Sequence, residues 1–410
     1  MKYILFIGDG MADNPVPELG NITPLQAAKK PCLDSLAARG TVGNVTNCPK
    51  GLPAGSETAI LSIFGCDPKV YFTGRSPMEA AASGIELHPG NIAYRCNLVN
   101  LSDGEGALAE KTILSHSAGS IEGEDALAIV EALEGNEEFA ALLKKAGITI
   151  HHFPAFRQIA VQESADNAGL KLIPPHDHLG EVVGELLPKG CKNAEILLAL
   201  MECAHKVLNH HPVNERRRAE GKMAANGIWF WAEGTAVQLP NFKEKYGHFG
   251  GVISAVPLCH GIAALSGLKM IEVEGATGEL DTNFEGKLEK AYELITGEDD
   301  FVAIHIEAPD ECTHNGDLPG KVQAIEWLDS RVLKPLVDRL AKEDFDYRIL
   351  ILSDHKTLTA TRGHDGDPVP YLIYQKSVDT GFGGVYDEVT GMAGNTVENG
   401  ADLMGMLFEM

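Results

Sequence analysis

The chain has 410 residues, of which 44% are hydrophobic and 22% are charged, and its formal net charge at pH 7 is −24. A chain of this length can bury a large core and form two or three domains. The negative charge argues against binding along a nucleic-acid backbone, because such binding needs a basic surface. A site for an anionic metabolite would likewise need a local source of positive charge.

Neither a membrane anchor nor an export signal is predicted. The sequence has no run of 18 or more apolar residues, which a membrane-spanning helix would require. Lys2 is followed by only five apolar residues before Gly8-Asp9-Gly10, which does not resemble a signal peptide. The eight cysteines are scattered, without a CxxC pair. We therefore expect a cytoplasmic protein with reduced thiols and with no membrane or nucleic-acid partner.

The first predicted element is a buried strand. The run from Lys2 to Ile7 is apolar after its first residue and ends at a Gly-Asp-Gly turn. A buried parallel strand of this kind delivers the next side chain, here Asp9, to the carboxyl edge of a sheet.

The next feature is a serine at the predicted start of a helix. A loop rich in proline and glycine, residues 51–55, precedes Ser56, and the helical run Ala59-Ile60-Leu61 follows it. At a helix N-terminus the free N–H groups and the helix dipole favour an anion. Ser56 is therefore a candidate nucleophile, although a serine at this position is also a common helix cap.

The middle of the chain has a different pattern. It predicts helices at 125–133 and 138–146, a strand at 158–162 and a loop at 174–178. None of the acidic and histidine motifs found late in the chain occurs here. We expect residues 119–235 to form a smaller α+β domain that covers the substrate. This domain would be inserted into a core domain made of residues 1–118 and 236–410.

Apolar runs recur in the last third of the chain. Candidate strands lie at 301–306, 347–352 and 371–374, and apolar residues recur every three or four positions in a predicted helix from Lys321 to Leu340. Strands that alternate with helices predict an α/β fold with a doubly wound sheet, in which ligands bind at the strand ends.

Metal-ligand residue types are concentrated after these runs. They are Asp9, the pair Asp310 and His314, the pair Asp354 and His355, and His364. All of them follow apolar runs of the one predicted sheet, so we expect them to meet at one edge. Carboxylates mixed with imidazoles suit Mn²⁺ or Zn²⁺ better than Ca²⁺. The pattern therefore predicts a shared metal site.

Several motifs together resemble a known family. In chain order they are Gly8-Asp9-Gly10, Gly55-Ser56, Leu61-Ser62 with Gly65-Cys66-Asp67-Pro68, Thr73-Gly74-Arg75-Ser76-Pro77, Ala308-Pro309-Asp310 with His314, Ser353-Asp354-His355, and His364 with Asp367-Pro368-Val369-Pro370. The set covers nearly the whole chain. It resembles the archaeal-type cofactor-independent phosphoglycerate mutases of the alkaline phosphatase superfamily.

The resemblance implies a site with two divalent metal ions, Mn²⁺ or Zn²⁺. Asp9, Ser56, Asp354 and His355 would hold one ion, and Asp310, His314 and His364 would hold the other. It also implies that Ser56 accepts a phosphoryl group from a small phosphorylated metabolite and returns it to another hydroxyl. The expected reaction interconverts 2-phosphoglycerate and 3-phosphoglycerate.

Other residues depart from the family pattern. The stretch Ala225 to Gly234 lacks an arginine that these mutases carry, and Ser117-Ala118-Gly119-Ser120 lacks a terminal arginine. Fewer bidentate cations should weaken recognition of a doubly anionic substrate. These departures resemble a bacterial branch that includes proposed homoserine kinases. A nucleotide-dependent phosphotransferase acting on a small alcohol is thus the alternative hypothesis.

Three arginines are candidates for substrate binding. Arg75, Arg95 and Arg157 could supply positive charge for an anionic substrate, although arginines in general are mostly solvated surface residues. The oligomeric state is left open by the sequence.

Overall fold

The structure, a computed structural model, describes residues 1–409 of an α/β protein. The chain divides into two compact units. The first comprises Met1–Phe72, Ala81–Ser83 and the chain from Gln238 onward, and the second comprises Thr73–Ala80 and Gly84–Val237. Among the described residues, no helix is both long enough and apolar enough to cross a membrane.

Fifteen strands are present in the described residues. They are β1 (Lys2–Gly8), β2 (Thr41–Val45), β3 (Ile92–Leu101), β4 (Ile113–Ser115), β5 (Ile148–His151), β6 (Arg157–Gln162), β7 (Gly227–Thr235), β8 (Gly250–Ile253), β9 (Lys269–Ile271), β10 (Phe301–Ile306), β11 (Tyr347–Leu352), β12 (Lys356–Leu358), β13 (Gly363–Asp365), β14 (Val369–Gln375) and β15 (Asn395–Val397).

Seventeen α-helices are present in the same residues. They are α1 (Pro24–Ala27), α2 (Pro31–Arg39), α3 (Ser56–Ile63), α4 (Pro68–Tyr71), α5 (Ser76–Ala82), α6 (Gly123–Glu134), α7 (Glu137–Ala146), α8 (Lys192–Leu208), α9 (Pro212–Ala219), α10 (Phe242–Tyr246), α11 (Pro257–Ser266), α12 (Phe284–Thr296), α13 (Ala308–His314), α14 (Leu318–Trp327), α15 (Lys334–Leu340), α16 (Glu388–Ala393) and α17 (Leu403–Phe408).

The first unit is built on an eight-stranded sheet with the order β15-β2-β14-β11-β1-β10-β8-β9. The central strand β1 pairs in parallel with β10 and β11. All three strands are almost wholly apolar and buried, as expected of parallel strands covered on both faces. Their carboxyl ends are adjacent, so the residues that follow them lie side by side at one edge of the sheet. The predicted strands 2–7, 301–306 and 347–352 are confirmed.

Strand β14 differs from its neighbours in direction. It runs antiparallel to both β11 and β2, so it begins at the edge where the parallel strands end. His364 lies just before β14, on β13 of a separate two-stranded sheet with β12. The expectation that every ligand candidate follows a strand of the main sheet is therefore wrong for His364. The reversed strand brings it to the edge from the opposite direction.

The predicted helix from Lys321 to Leu340 is present in three segments. Helix α14 continues into a π-helical turn at Leu328–Leu333 and then into α15. In the π-helical turn, both side-chain oxygens of Asp329 accept hydrogen bonds from backbone amides at the start of α2, those of Cys32 and Leu33. This long helical element is thereby tied to α2.

The second unit has its own five-stranded sheet and hydrophobic core. Strand β3 pairs with β6 on one side and with β7 on the other, and helices α6, α7 and α8 contribute to a core that includes Phe139, Leu197 and Trp229. The predicted N-terminal boundary at residue 119 lies too late. Because β3 is the central strand of this sheet, residues from Gly84 onward belong to the second unit.

Candidate active site

Ser56 is the first residue of α3, as the sequence predicts. Its Oγ lies 3.2 Å from Nε2 of His355 and 3.5 Å from Oδ2 of Asp9. The preceding residue must be small, because a Cβ on Gly55 would lie 2.9 Å from Oε2 of Glu57 and 3.3 Å from Nδ1 of His364. The loop thus brings the serine hydroxyl into a cluster of carboxylates and imidazoles.

Asp9, Asp354 and His355 form the first half of this cluster. Asp9 follows β1, and the other two follow the neighbouring strand β11. Nε2 of His355 lies 3.2 Å from Oδ2 of Asp354 and 3.6 Å from Oδ1 of Asp9. Oδ1 of Asp354 accepts hydrogen bonds from the amides of Gly10 and His355, which fixes the carboxylate plane. All three ligand candidates are almost fully buried.

The donor set of this first group fits a divalent cation. Within residues 1–409, Oδ1 of Asp9 and Oδ2 of Asp354 are buried and have no hydrogen-bond partner. An unpartnered buried carboxylate oxygen is costly, and a bound cation removes that cost. Ligand atoms of these two aspartates and of His355 lie within 4.8 Å of one another. Two carboxylates and an imidazole match the preferences of Mn²⁺ and Zn²⁺.

Asp310, His314 and His364 form the second half of the cluster. Asp310 and His314 are one turn apart on α13, and Nε2 of His314 lies 3.2 Å from Oδ2 of Asp310. Nε2 of His364 lies 3.5 Å from Oδ1 of Asp310 and 2.9 Å from Nε2 of His314. A ligand atom of His355 lies within 4.8 Å of those of Asp310 and His364, so His355 borders both halves.

The tautomer of His314 is fixed by the backbone. Its Nδ1 lies 2.8 Å from the carbonyl oxygen of Arg362, which can only accept a hydrogen bond. Nδ1 therefore carries the hydrogen, and Nε2 points toward Asp310. A histidine held in this way by a carbonyl presents its other nitrogen as a ligand.

The charges of the cluster shift the pKa values of its members in opposite directions. Burial and the nearby carboxylates of Asp354 and Asp310 raise the pKa of Asp9 well above its usual value. Burial alone would raise the pKa of Asp310, but hydrogen bonds from His314 and His364 outweigh it and hold that pKa well below its usual value. The hydrogen bond to Asp310 raises the pKa of His314 to about 9. The cluster therefore carries closely spaced negative charge that favours a bound cation.

The three candidate arginines lie together in the second unit. Arg95 is buried, and its Nε donates to Oε2 of Glu79 at 2.7 Å, while Nε of Arg75 lies 3.1 Å from Oε1 of Glu79. The guanidinium of Arg95 also lies 4.5 Å from the ring centroid of Trp231. Nε of Arg157 is buried without a hydrogen-bond partner among the described residues. Arg95 is thus a buried, structured residue and not a solvated one.

The arginine cluster carries more positive charge than the single carboxylate of Glu79 can neutralise. Burial, the charge of Arg95 and, to a lesser extent, that of Arg75 lower the pKa of Arg157 to about 10, and only Glu79 opposes them. Burial together with the charges of His176 and Arg157 lowers the pKa of His116. The rings of His116 and His176 are 6.0 Å apart. A group of cations around one carboxylate is suited to hold an anion.

Comparison with known proteins places the chain in a family. A family model described as 2,3-bisphosphoglycerate-independent phosphoglycerate mutase matches residues 37–214. A probable 2,3-bisphosphoglycerate-independent phosphoglycerate mutase of Geobacter sulfurreducens is 42% identical, and the alignment covers 100% of both chains. The enzyme of that name from Methanosarcina acetivorans is 40% identical, again over 100% of both chains. The chain belongs to this mutase family.

Solved structures agree with the family assignment. A Pyrococcus horikoshii protein has a TM-score of 0.80 at 30% identity, with 99% of this chain and 96% of that chain covered. The cofactor-independent phosphoglycerate mutase of Thermoplasma acidophilum has a TM-score of 0.65 at 27% identity, with 99% of both chains covered. The family resemblance and the α/β fold predicted from the sequence motifs are confirmed.

A buried network behind Asp9 was not predicted from the sequence. His305 on β10 contacts Oδ2 of Asp9, and it is held by Glu307, Lys287 and Ser254. The available signal was a histidine inside an otherwise apolar strand, two residues before a glutamate. Because β side chains alternate in direction, residues two apart lie on the same face.

A second buried network supports Asp310. The hydroxyl of Thr357 donates to Oδ1 of Asp310, and the carbonyl of Thr357 accepts from Nζ of Lys321 at 2.6 Å. Lys321 also donates to Oδ2 of Asp13 at 2.9 Å. Lys321 is 308 positions from Asp13, and Thr357 is 47 positions from Asp310. No local motif links these residues, so the network could not be predicted from the sequence.

Proposed function

We propose that this protein is a metal-dependent phosphoglycerate mutase that interconverts 2-phosphoglycerate and 3-phosphoglycerate through a phosphoserine at Ser56. The observation that carries the proposal is the position of the Ser56 hydroxyl, 3.2 Å from His355 and 3.5 Å from Asp9, inside a cluster of metal-ligand residue types. Full-length relatives named as mutases of this kind support the same reaction.

The proposed centre holds two divalent ions, Mn²⁺ or Zn²⁺. Asp9, Ser56, Asp354 and His355 would bind one of them. Asp310, His314 and His364 would bind the other. Ligand atoms of Asp9 and Asp354 lie within 4.8 Å of one on His355, and those of Asp310 and His364 also lie within 4.8 Å of one on His355, so the two proposed sites would be adjacent. When bound, such ions lower the pKa of a coordinated hydroxyl and neutralise charge on a phosphoryl group.

Ser56 has two roles in the proposed reaction. Its oxygen forms a bond to phosphorus while the bond from phosphorus to the substrate oxygen breaks, and the same steps in reverse return the group to the other hydroxyl. As the first residue of α3, Ser56 also places the phosphoryl group beside the free N–H groups of the first helical turn. These N–H groups stabilise an anion at that position.

The arginine cluster is proposed to bind an anionic group of the substrate. Arg75, Arg95 and Arg157 surround a single carboxylate, that of Glu79, and Arg157 has a buried Nε free to donate. Guanidinium groups bind carboxylates and phosphates through paired hydrogen bonds. The cluster would thereby supply the local positive charge that a chain of net charge −24 needs in order to hold phosphoglycerate.

The proposed partner is a small phosphorylated metabolite, and the proposed location is the cytoplasm. All eight cysteines are free thiols, which suits a reducing compartment. The net charge of −24 is unfavourable for binding nucleic acid.

A paired substrate assay tests the proposed reaction. Metal-stripped protein is reloaded with Mn²⁺ or Zn²⁺ and incubated separately with each phosphoglycerate isomer, without nucleotide. We expect each isomer to be converted into the other. The homoserine kinase alternative predicts no interconversion, and instead phosphorylation of a small alcohol only when a nucleotide is added. Absence of interconversion after metal loading contradicts the proposal.

A further inference from the structure

Four buried, alternately charged side chains extend from the interior of the first unit to Asp9. Nζ of Lys287 donates to Oε2 of Glu307 at 2.5 Å. Nδ1 of His305 lies 3.0 Å from Oε1 of Glu307, and Nε2 of His305 lies 3.0 Å from Oδ2 of Asp9. The exposed fraction of these side chains does not exceed 5%. We call these four residues the buried relay.

The sheet fixes the geometry of the buried relay. Strands β1 and β10 are paired so that Ile7 lies opposite His305, two residues before Asp9 in the chain. His305 and Glu307 are two residues apart, which places their side chains on one face. Lys287 reaches the same face from α12 and also donates to the carbonyl oxygen of His305 at 2.8 Å. The orientation of the His305 imidazole is therefore fixed by Glu307 at Nδ1 and by Asp9 at Nε2.

Hydrogen bonding identifies both ring nitrogens of His305 as donors to carboxylate oxygens. Oε1 of Glu307 also accepts from the hydroxyl of Ser254 and the amide of Ala255, both at 2.9 Å. A carboxylate with four donors around it is held in one orientation. Nδ1 of His305 therefore donates to Glu307, and Nε2 donates to Oδ2 of Asp9.

The contact with His305 leaves the two oxygens of Asp9 in different situations. Oδ2 accepts from His305 and also lies 3.5 Å from Oγ of Ser56, whereas Oδ1 is buried without a hydrogen-bond partner among the described residues. Oδ1 is also the oxygen that lies 3.6 Å from Nε2 of His355. The hydrogen bond from His305 thus occupies Oδ2, and Oδ1 is the oxygen left without a partner among the described residues, beside His355.

We infer that His305 is a positioning residue, which holds Asp9 through its Nε2–H so that Oδ1 is presented to the cation. This inference rests on the proposed function, because it assigns Asp9 to the metal centre. Lys287 and Glu307 act through His305 by fixing the plane of its ring. Outer partners of metal ligands commonly change metal affinity by about 10- to 100-fold when they are removed.

Two amide substitutions test the inference. In His305→Gln the amide nitrogen occupies the region of Nε2 and can still donate to Asp9. In His305→Asn it occupies the region of Nδ1 and can donate only toward Glu307. We expect His305→Asn to weaken Mn²⁺ binding at one site by about 10- to 100-fold, and His305→Gln to remain close to the wild type. The measurement is isothermal titration calorimetry on metal-stripped protein, with circular dichroism to verify folding.

The matched control is His205, a buried histidine of the second unit whose Nδ1 lies 2.7 Å from the carbonyl oxygen of Asn226. Neither His205→Asn nor His205→Gln should change Mn²⁺ affinity. Equal affinity in the two His305 variants overturns the positioning role of His305 and leaves the proposed function intact. Failure of the wild-type protein to bind either Mn²⁺ or Zn²⁺ overturns both.

A measurement on the wild-type protein decides the question if His305→Asn does not fold. In ¹⁵N NMR spectra of the metal-loaded, histidine-labelled protein, the His305 signal is assigned by its absence from the His305→Gln spectrum. We expect Nε2 of His305 to carry a hydrogen. An unprotonated Nε2 cannot donate to Asp9, so that result overturns the inference.

Discussion

The hydroxyl oxygen of Ser56 lies 3.2 Å from Nε2 of His355, although the two residues are 299 positions apart in the chain. Ser56 begins α3, and His355 follows β11. The contact exists because the loop before α3 reaches the carboxyl end of a strand in the middle of the sheet. The candidate nucleophile therefore lies within contact distance of a candidate metal ligand.

Replacing Ser56 by alanine should abolish turnover, by a factor of about 10³ or more, because it removes the hydroxyl that is proposed to carry the phosphoryl group. The fold should be retained, since the Ser56 side chain is only partly buried. The measurement is kcat for each isomer, with thermal unfolding to verify the fold. Ser62→Ala on the same helix is the control, and its kcat should change little. Turnover by Ser56→Ala at the wild-type rate would remove Ser56 from its role.

Replacing Asp354 by asparagine should stabilise the metal-free protein and weaken metal binding. The substitution removes a negative charge beside Asp9 but keeps Oδ1, which accepts from the amides of Gly10 and His355. We expect the free energy of unfolding in a chelator to rise by about 1–2 kcal/mol, because an unpartnered buried carboxylate oxygen is replaced by an amide donor.

The measurement is thermal unfolding with chelator and with Mn²⁺, and the wild type alone should be strongly stabilised by the metal. Asp367→Asn is the control, because the side chain of Asp367 is 67% exposed. A variant that still gains wild-type stability from Mn²⁺ would show that Asp354 is not a ligand.

Replacing Arg157 by methionine should raise the KM for phosphoglycerate about tenfold or more, since hydrogen bonds to a charged group contribute about 1.5–3 kcal/mol. The melting temperature should not fall, because burial and the neighbouring charge of Arg95 already make this cation unfavourable, as its lowered pKa of about 10 indicates. Steady-state kinetics and thermal unfolding provide the two readouts. Arg216→Met, at an exposed arginine paired with Asp125, is the control. An unchanged KM would contradict the assignment of Arg157.

Replacing Glu79 by glutamine should reduce the loss of unfolding free energy that the wild-type protein shows at acidic pH. Burial alone would raise the pKa of Glu79, but the hydrogen bond and charge of Arg95 outweigh it and lower the pKa from 4.5 to about 2. A carboxylate with a depressed folded-state pKa stabilises the fold above its unfolded pKa and loses this contribution as the pH falls. The shift corresponds to a stability contribution on the order of 3 kcal/mol.

The difference in unfolding free energy between wild type and Glu79→Gln should therefore be largest near neutral pH. It should shrink between pH 4.5 and about 2. Chemical denaturation at several pH values measures it. Glu138→Gln, at an exposed glutamate paired with Lys206, should show little difference at any pH. A difference that is constant with pH would contradict the buried ion pair as its cause.

The strands and the loop residues that follow them could be predicted because both signals are local. An apolar run such as Phe301–Ile306 identifies a buried strand, and a polar side chain directly after it must lie at the sheet edge. The start of α3 at Ser56 was equally visible from the loop that precedes it. The family resemblance then linked these separate positions, and relatives along the whole chain confirm it.

Features that depend on pairing partners could not be predicted. The antiparallel direction of β14 decides how His364 reaches the edge, and nothing in its sequence encodes direction. The central position of β3 decides where the second unit begins, and it depends on β6 and β7. The role of His305 could not be predicted, because a single polar residue in an apolar strand is defined by its partners, here Asp9 and Glu307.

The position of β1 between β10 and β11 has a consequence for how the chain is made. This apolar strand leaves the ribosome before its partners, which are residues 301–306 and 347–352. The strands of the second unit all lie between Ile92 and Thr235, so they can pair while translation continues. During synthesis, β1 therefore remains an unpaired apolar segment, exposed to aggregation, until residues 301–352 have emerged.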